Sequence, residues 1–155
     1  MNKVAIVTDS TAYLPQEYVD QYGVKVVPLT VNWDGKTYRD GVDIKPTEFY
    51  TRLKNSSSMP TTSQATIKDF SDVFQGLIDE GYSIMTLPIS SGISGTVNSA
   101  FQAKELFPKA DIEVIDTKLV SMALSFQVLA AARAAAAGES LEEVKKFAVE
   151  AYIHI

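Results

Sequence analysis

Short aliphatic and β-branched runs alternate with amphipathic helical patterns along this chain, and that alternation restricts the fold more than any other feature. Val4 to Val7, Val24 to Val31, Ile84 to Ile89 and Ile112 to Ile115 are apolar at nearly every position, as in strands covered on both faces. Between them lie a helix that starts near Pro15 and ends at Gly23, one in which Ile67, Phe70, Phe74, Leu77 and Ile78 recur at threes and fours, and one from Val97 to Phe107. The implied fold is α/β, a mostly parallel sheet with helices on both faces. A chain of 155 residues with 46% hydrophobic content can bury one such core. After the fourth strand, Lys118 to Ala137 reads as a long helix stopped by Gly138, and Ser140 with Glu143 as a capping box for a last helix through Val144 and Phe147. The chain closes on Ala151 to Ile155, an apolar tail in which His154 reads as a strand or interface residue.

One stretch interrupts the alternation. Asn32 to Tyr38 carries Asp34-Gly35, a two-residue hairpin signal, so a small antiparallel excursion should project there. Pro46 to Lys54 reads as a short helix, and Asn55-Ser56-Ser57-Ser58-Met59-Pro60 as a flexible segment. It leads into Thr61-Thr62-Ser63-Gln64, a cluster of hydroxyls just before a helix that Thr66 and Asp69 are placed to cap. Ser90-Ser91-Gly92-Ile93-Ser94-Gly95-Thr96 has the same form between the third strand and the next helix. Helix N-termini present unpaired N–H groups and a positive dipole end, to which hydroxyls add donors. Gly92 and Gly95 would allow close approach of the backbone. Donors without Lys or Arg suit a single carboxylate better than a polyphosphate, although each loop taken alone reads equally well as an ordinary cap.

Charge and residue usage remove several classes of function. Nineteen acidic against 14 basic residues give a net charge of −5, with no basic stripe to follow a phosphate backbone, so no nucleic-acid partner is expected. The absence of Cys removes thiolate chemistry and disulfides and fits a reducing, cytoplasmic compartment. Met1-Asn2-Lys3 is too short for a signal sequence, and the apolar stretch from Leu124 to Ala137 is interrupted by Gln127 and Arg133. No membrane span is expected.

Five segments in order resemble the DegV family of bacterial fatty-acid-binding proteins, which includes the lipid-binding subunits of the fatty acid kinase system. They are Val7-Thr8-Asp9-Ser10-Thr11, Tyr38 to Ile44, Pro60 to Gln64, Ile89 to Ala100, and Ile115-Asp116-Thr117. The resemblance implies a Rossmann-like N-terminal α/β domain over residues 1–155, with the family's C-terminal domain absent. It also implies a long-chain fatty acid whose tail lies in a tunnel and whose carboxylate is held by Thr62 and Ser94. Thr61, Ser63, Gly95 and Thr96 then form the supporting loops, and Ile93, Phe101 and Met122 are candidate tunnel residues. By the same resemblance the protein is a carrier without catalysis, cofactor or metal, presenting its ligand to the catalytic subunit of a fatty acid kinase, with at most peripheral membrane contact. A His contact from the family's C-terminal domain has no counterpart here. Ala65-Thr66 replaces the common Pro-Ser after Gln64, and Ala123 stands where the long helix often has Gly.

Three other readings compete. Gly92-Ile93-Ser94-Gly95 puts a Ser on a strand-to-helix turn, as in serine hydrolases, but is one residue short of Gly-x-Ser-x-Gly and has only His154 as a base. Asp9, Asp40, Asp43 and Asp116 at strand ends and turns could hold magnesium in a phosphate-handling site. An apolar face left by the missing half would promote self-association.

Overall fold

A computed structural model describes residues 3–155. Its main sheet has four parallel strands, β1 (Val4–Asp9), β2 (Lys25–Val27), β6 (Ser83–Leu87) and β7 (Ile112–Val114), in the order β2-β1-β6-β7. Side chains alternate between its faces. Val4 and Ile6 of β1 join Met85 and Leu87 in one core, while Ala5 and Val7 join Ile84, Ile112 and Val114 in the other.

Helices α1 (Gln16–Tyr22), α5 (Ser121–Ala136) and α6 (Leu141–Ile153) cover the first face. Helices α3 (Ile67–Asp79) and α4 (Thr96–Glu105) cover the second, through Phe70, Phe74, Leu77, Val97, Ala100 and Ala103. The predicted terminators act as expected at two ends: Gly23 takes a left-handed φ of 63°, and Gly138 follows α5 at φ 87°. The Thr66–Asp69 capping box of α3 is complete, with both reciprocal bonds formed. Only half of the predicted Ser140–Glu143 box forms: the Glu143 N–H donates to Ser140 Oγ, and the Glu143 carboxylate faces Lys146. Helix α5 begins at Ser121 rather than Lys118, because Lys118 is left-handed (φ 59°) and ion-paired to Asp116 at 2.6 Å. His154 is neither in a strand nor at an interface within the chain; it is the C-cap of α6.

The expected strand Val24 to Val31 divides between two sheets. β2 stops at Val27, Pro28 supplies no N–H to continue the ladder, and β3 (Thr30–Trp33) enters an antiparallel sheet of order β4-β3-β5. β4 (Lys36–Arg39) follows the predicted hairpin, with Asp34 and Gly35 both left-handed at φ 50° and 74°. The third strand is a correction to the sequence reading. Thr61–Ser63, expected as a loop, forms β5 and pairs with β3. Helix α2 (Pro46–Asn55) packs Phe49 and Leu53 on Val31, Trp33 and Ile44 beneath this sheet.

The segment 55–60, predicted to be flexible, is tied down. Ser58 Oγ donates to Asp34 at 2.5 Å and accepts from Trp33 Nε1 at 3.0 Å. Arg52 stacks 4.4 Å from the Trp33 ring centroid and donates to Tyr38 Oη and Asp34. Composition implies a loop, and two tertiary partners, Trp33 and Asp34, anchor it at Ser58.

Candidate functional site

Between β1 and β6 the chain reverses its direction of travel across the sheet, since β2 lies on one side of β1 and β6 and β7 on the other. Ligands of open α/β sheets collect at the carboxyl ends of strands at such a switch point. A cavity of about 370 Å³ lies there, where the main sheet meets the small one. Ile89, Ile93, Ser94 and Gly95 line it from the β6–α4 loop, and Leu29, Val31, Thr62 and Gln64 from the small-sheet side. Thr62 and Ser94, from segments 32 residues apart in sequence, thus share one cavity.

Each arrives by a different local rule. Thr62 is the middle residue of β5 and sits opposite Val31 of β3, so the two share a face, and both are on the cavity wall. Thr61 and Ser63 are on the other face by the same alternation; Ser63 Oγ accepts from Asn32 Nδ2 at 3.0 Å, and neither residue lines the cavity. Ser94 sits in a tight turn, its N–H bonded to the Ser90 carbonyl at 3.1 Å, just before α4. Its Oγ accepts from the Thr96 N–H at 3.2 Å and lies 2.9 Å from Thr96 Oγ1, which itself accepts from the Ala65 N–H at 3.3 Å. Gly95 forms cavity wall against Gln64, whose Nε2 donates to Ser99 Oγ at 3.1 Å. The two loops that the sequence presents separately are therefore one hydrogen-bonded unit.

The carboxylates near these loops are engaged individually. Asp9, with no exposed surface, accepts from the Thr11 N–H and hydroxyl and from the Ile89 N–H at 2.6 Å, holding the β6 exit against β1. Burial pushes its carboxyl up, against those bonds, and Asp40 pushes it further. Asp40 lines the cavity, and burial raises its carboxyl too, opposed by bonds from Ser10 and the Gly41 N–H. Asp43 is paired with Arg39 at 2.9 Å. Asp116 takes the Ser91 N–H and hydroxyl together with Lys118; burial works to raise it, but these partners outweigh burial and hold it well below the usual carboxylate range. Among the described residues no three His, Cys, Asp or Glu side chains converge. Nor does the cavity wall contain a His, so Ser94 has no imidazole beside it there.

Apart from Thr11, Thr30 and Asp40, the rest of the wall is apolar or aromatic, with Tyr13, Leu29, Val31, Phe49, Tyr50 and Ile93, and it contains no Lys or Arg. Ile93 is thus on the cavity as anticipated. Phe101 and Met122 are not: Met122 lies in a separate groove between α1 and α5, and Phe101 is 40% exposed on α4. Tyr13, Phe49 and Tyr50 were not anticipated: the docking of α2 beneath the small sheet brings Phe49 and Tyr50 to this wall, and Tyr13 reaches it from the left-handed end (φ 48°) of the turn that follows β1. Among the described residues no helix is long and apolar enough to cross a membrane.

Residues 3–154 match the family model described as "Uncharacterised protein, DegV family". A DegV domain-containing protein of Caldanaerobacter subterraneus subsp. tengcongensis is 44% identical over 144 residues, covering 93% of this chain and 51% of the relative. Among solved structures, a fatty-acid-binding DegV family protein from Thermus thermophilus superposes with a TM-score of 0.88 at 38% identity, over 97% of this chain and 53% of that one. A stearic acid-binding protein from Eubacterium ventriosum gives 0.86 at 35% identity, over 94% and 51%. The chain spans about half the length of the relatives it matches.

Proposed function

This chain belongs to the DegV family, and on that premise we propose that it binds a long-chain fatty acid in the cavity between its two sheets. Thr62 and Ser94 hold the carboxylate, with Thr96 and Gly95 shaping the loop behind them. The observation that carries this reading is that Thr62 and Ser94, one from each sheet system, reach a single cavity whose wall is largely apolar and aromatic and free of basic side chains. Burying an acyl chain contributes about 0.8 kcal/mol per methylene, so the tail supplies most of the affinity. The hydroxyls need only replace the water that the carboxylate loses. Neutral donors suffice for that and leave the headgroup reachable by a second protein.

In this reading the protein is a cytoplasmic carrier without chemistry of its own, and it offers the bound acid to a kinase catalytic subunit. The experiment is mass spectrometry of lipid extracted from denatured, purified protein, on wild type, Ser94→Ala and Ser57→Ala. A stoichiometric fatty acid retained by Ser57→Ala and lost from Ser94→Ala is the expected result. Equal retention in the two variants, or empty wild-type protein, would overturn the assignment.

A further inference from the structure

The hydroxyl pair behind the cavity has a direction, and the direction follows from counting hydrogens. Thr96 Oγ1 is buried, with no exposed surface on its residue, and has two partners among the described residues: the Ala65 N–H at 3.3 Å and Ser94 Oγ at 2.9 Å. The Ala65 N–H can only donate, so that bond occupies an acceptor site on Thr96. The Thr96 hydrogen still needs an acceptor, because a buried donor left unpaired is costly. Ser94 Oγ is the acceptor in reach. Ser94 Oγ already accepts the Thr96 N–H at 3.2 Å, so accepting the Thr96 hydroxyl as well fills both of its lone pairs. What Ser94 has left is its own hydrogen, and Ser94 is on the cavity wall.

We infer that Thr96 is a positioning residue that makes Ser94 an obligate donor toward the cavity, in a relay running from the Ala65 N–H through Thr96 and Ser94 to the ligand. The inference rests on the carboxylate reading given above and extends it: with its lone pairs filled, Ser94 selects a headgroup that presents an acceptor oxygen and has no capacity to receive a hydrogen from one. Each member of the chain polarises the next. The relay also joins ligand binding to Ala65, 1% exposed at the start of the α3 cap.

The test is a double-mutant cycle on the whole chain, with palmitic acid as the probe and affinity as the readout. Thr96→Val keeps the shape and removes the hydroxyl, and is expected to weaken binding about fivefold, as befits one neutral hydrogen bond. Thr96→Ser restores the hydroxyl and should restore the affinity. In a Ser94→Ala background, Thr96→Val should cost nothing further, because the relay then has no end. A purely structural role for Thr96 would instead persist in that background. If Ser94→Ala weakens binding while Thr96→Val is neutral, or while the Thr96→Val loss survives in the Ser94→Ala background, the relay is overturned and the carboxylate reading stands. If Ser94→Ala binds like wild type, the carboxylate reading fails and the relay fails with it. Neutron diffraction on deuterated wild-type protein decides the direction without any mutation: deuterium on Thr96 Oγ1 pointing at Ser94 is expected, and deuterium on Ser94 Oγ pointing at Thr96 would overturn the inference.

Discussion

Gly95→Ala offers a demanding test of how the two hydroxyl loops fit together. Gly95 has φ −75° and ψ 2°, a conformation open to any residue, so glycine is present for space and not for handedness. A Cβ there would lie 2.0 Å from Gln64 Oε1 and 2.8 Å from Gln64 Cδ, so the glutamine must rotate away. Rotation breaks its bond to Ser99, worth about 1 kcal/mol. Replacing a glycine N-cap by alanine costs roughly another 0.5–1 kcal/mol, and the stiffer unfolded chain returns about 0.4–1 kcal/mol. The net is a destabilisation of about 1 kcal/mol, or a fall in Tm of about 2–4 °C for a domain of this size. Fatty-acid retention should also fall, because Gln64 shares the cavity wall with Thr62 and Ser94. Thermal unfolding of wild type, Gly95→Ala, Gln64→Ala and the double variant checks the reasoning. With Gln64 already shortened, Gly95→Ala should cost close to nothing. The same fall in Tm in both backgrounds would refute the claim that Gln64 is what the glycine makes room for.

Other consequences are accessible to routine measurement. Phe74 has no exposed surface and its ring centroid lies 5.9 Å from Phe70 and 6.5 Å from Phe107; Phe74→Ala should cost about 3–5 kcal/mol in urea unfolding. Asp116 has its carboxyl held below the ordinary 3.8, so the stability it contributes is present above pH 3.8 and is lost as pH falls through the lowered value. Wild type should therefore exceed Asp116→Asn in stability at neutral pH and converge with it in acid, as a stability–pH profile would register. Ser58→Ala releases both Trp33 Nε1 and Asp34 from the 55–60 segment, and limited proteolysis should then cut that segment faster than in wild type.

Local signals were sufficient where a residue's role is decided within a few positions. The Thr66–Asp69 box, the Asp34-Gly35 turn and the stops at Gly23 and Gly138 depend on neighbouring φ/ψ preferences and short hydrogen bonds, and β1, β6 and β7 depend on short, mostly apolar runs. Three readings went astray for a common reason. Val24 to Val31 is apolar at most positions, yet Pro28 divides it, because sheet membership is set by which N–H groups find partners. Thr61–Ser63 has the hydroxyl-rich character of a loop, but β3 offers it a free edge. Segment 55–60 has a linker's composition, and only the packing of Trp33, Asp34 and Arg52 gives Ser58 its partners. Phe49 and Tyr50 were beyond reach for the same cause, since no periodicity records which sheet a helix will cover.

The cavity exists because two sheets meet at a fixed angle, and one residue accounts for much of that. Leu29, just after the Pro28 break, donates its N–H to Ser10 Oγ at 3.1 Å, at the exit of β1, and accepts the Asp40 N–H at 2.8 Å, at the exit of β4. The main sheet is thereby bonded to the small one through a single residue. Within the main sheet, Asp9 fixes the start of the β6–α4 loop by binding the Ile89 N–H. Thr62 is carried by the small sheet and Ser94 by the loop leaving the main one, so the placement of the two hydroxyls depends on Leu29 and Asp9 together with the Ala65–Thr96 and Gln64–Ser99 bonds that join the loops. The hydroxyl motifs therefore state which donors are available, while the Val27–Thr30 crossover determines whether they face the same ligand. A chain with both motifs intact and that crossover altered would keep its two capped helices and lose the site.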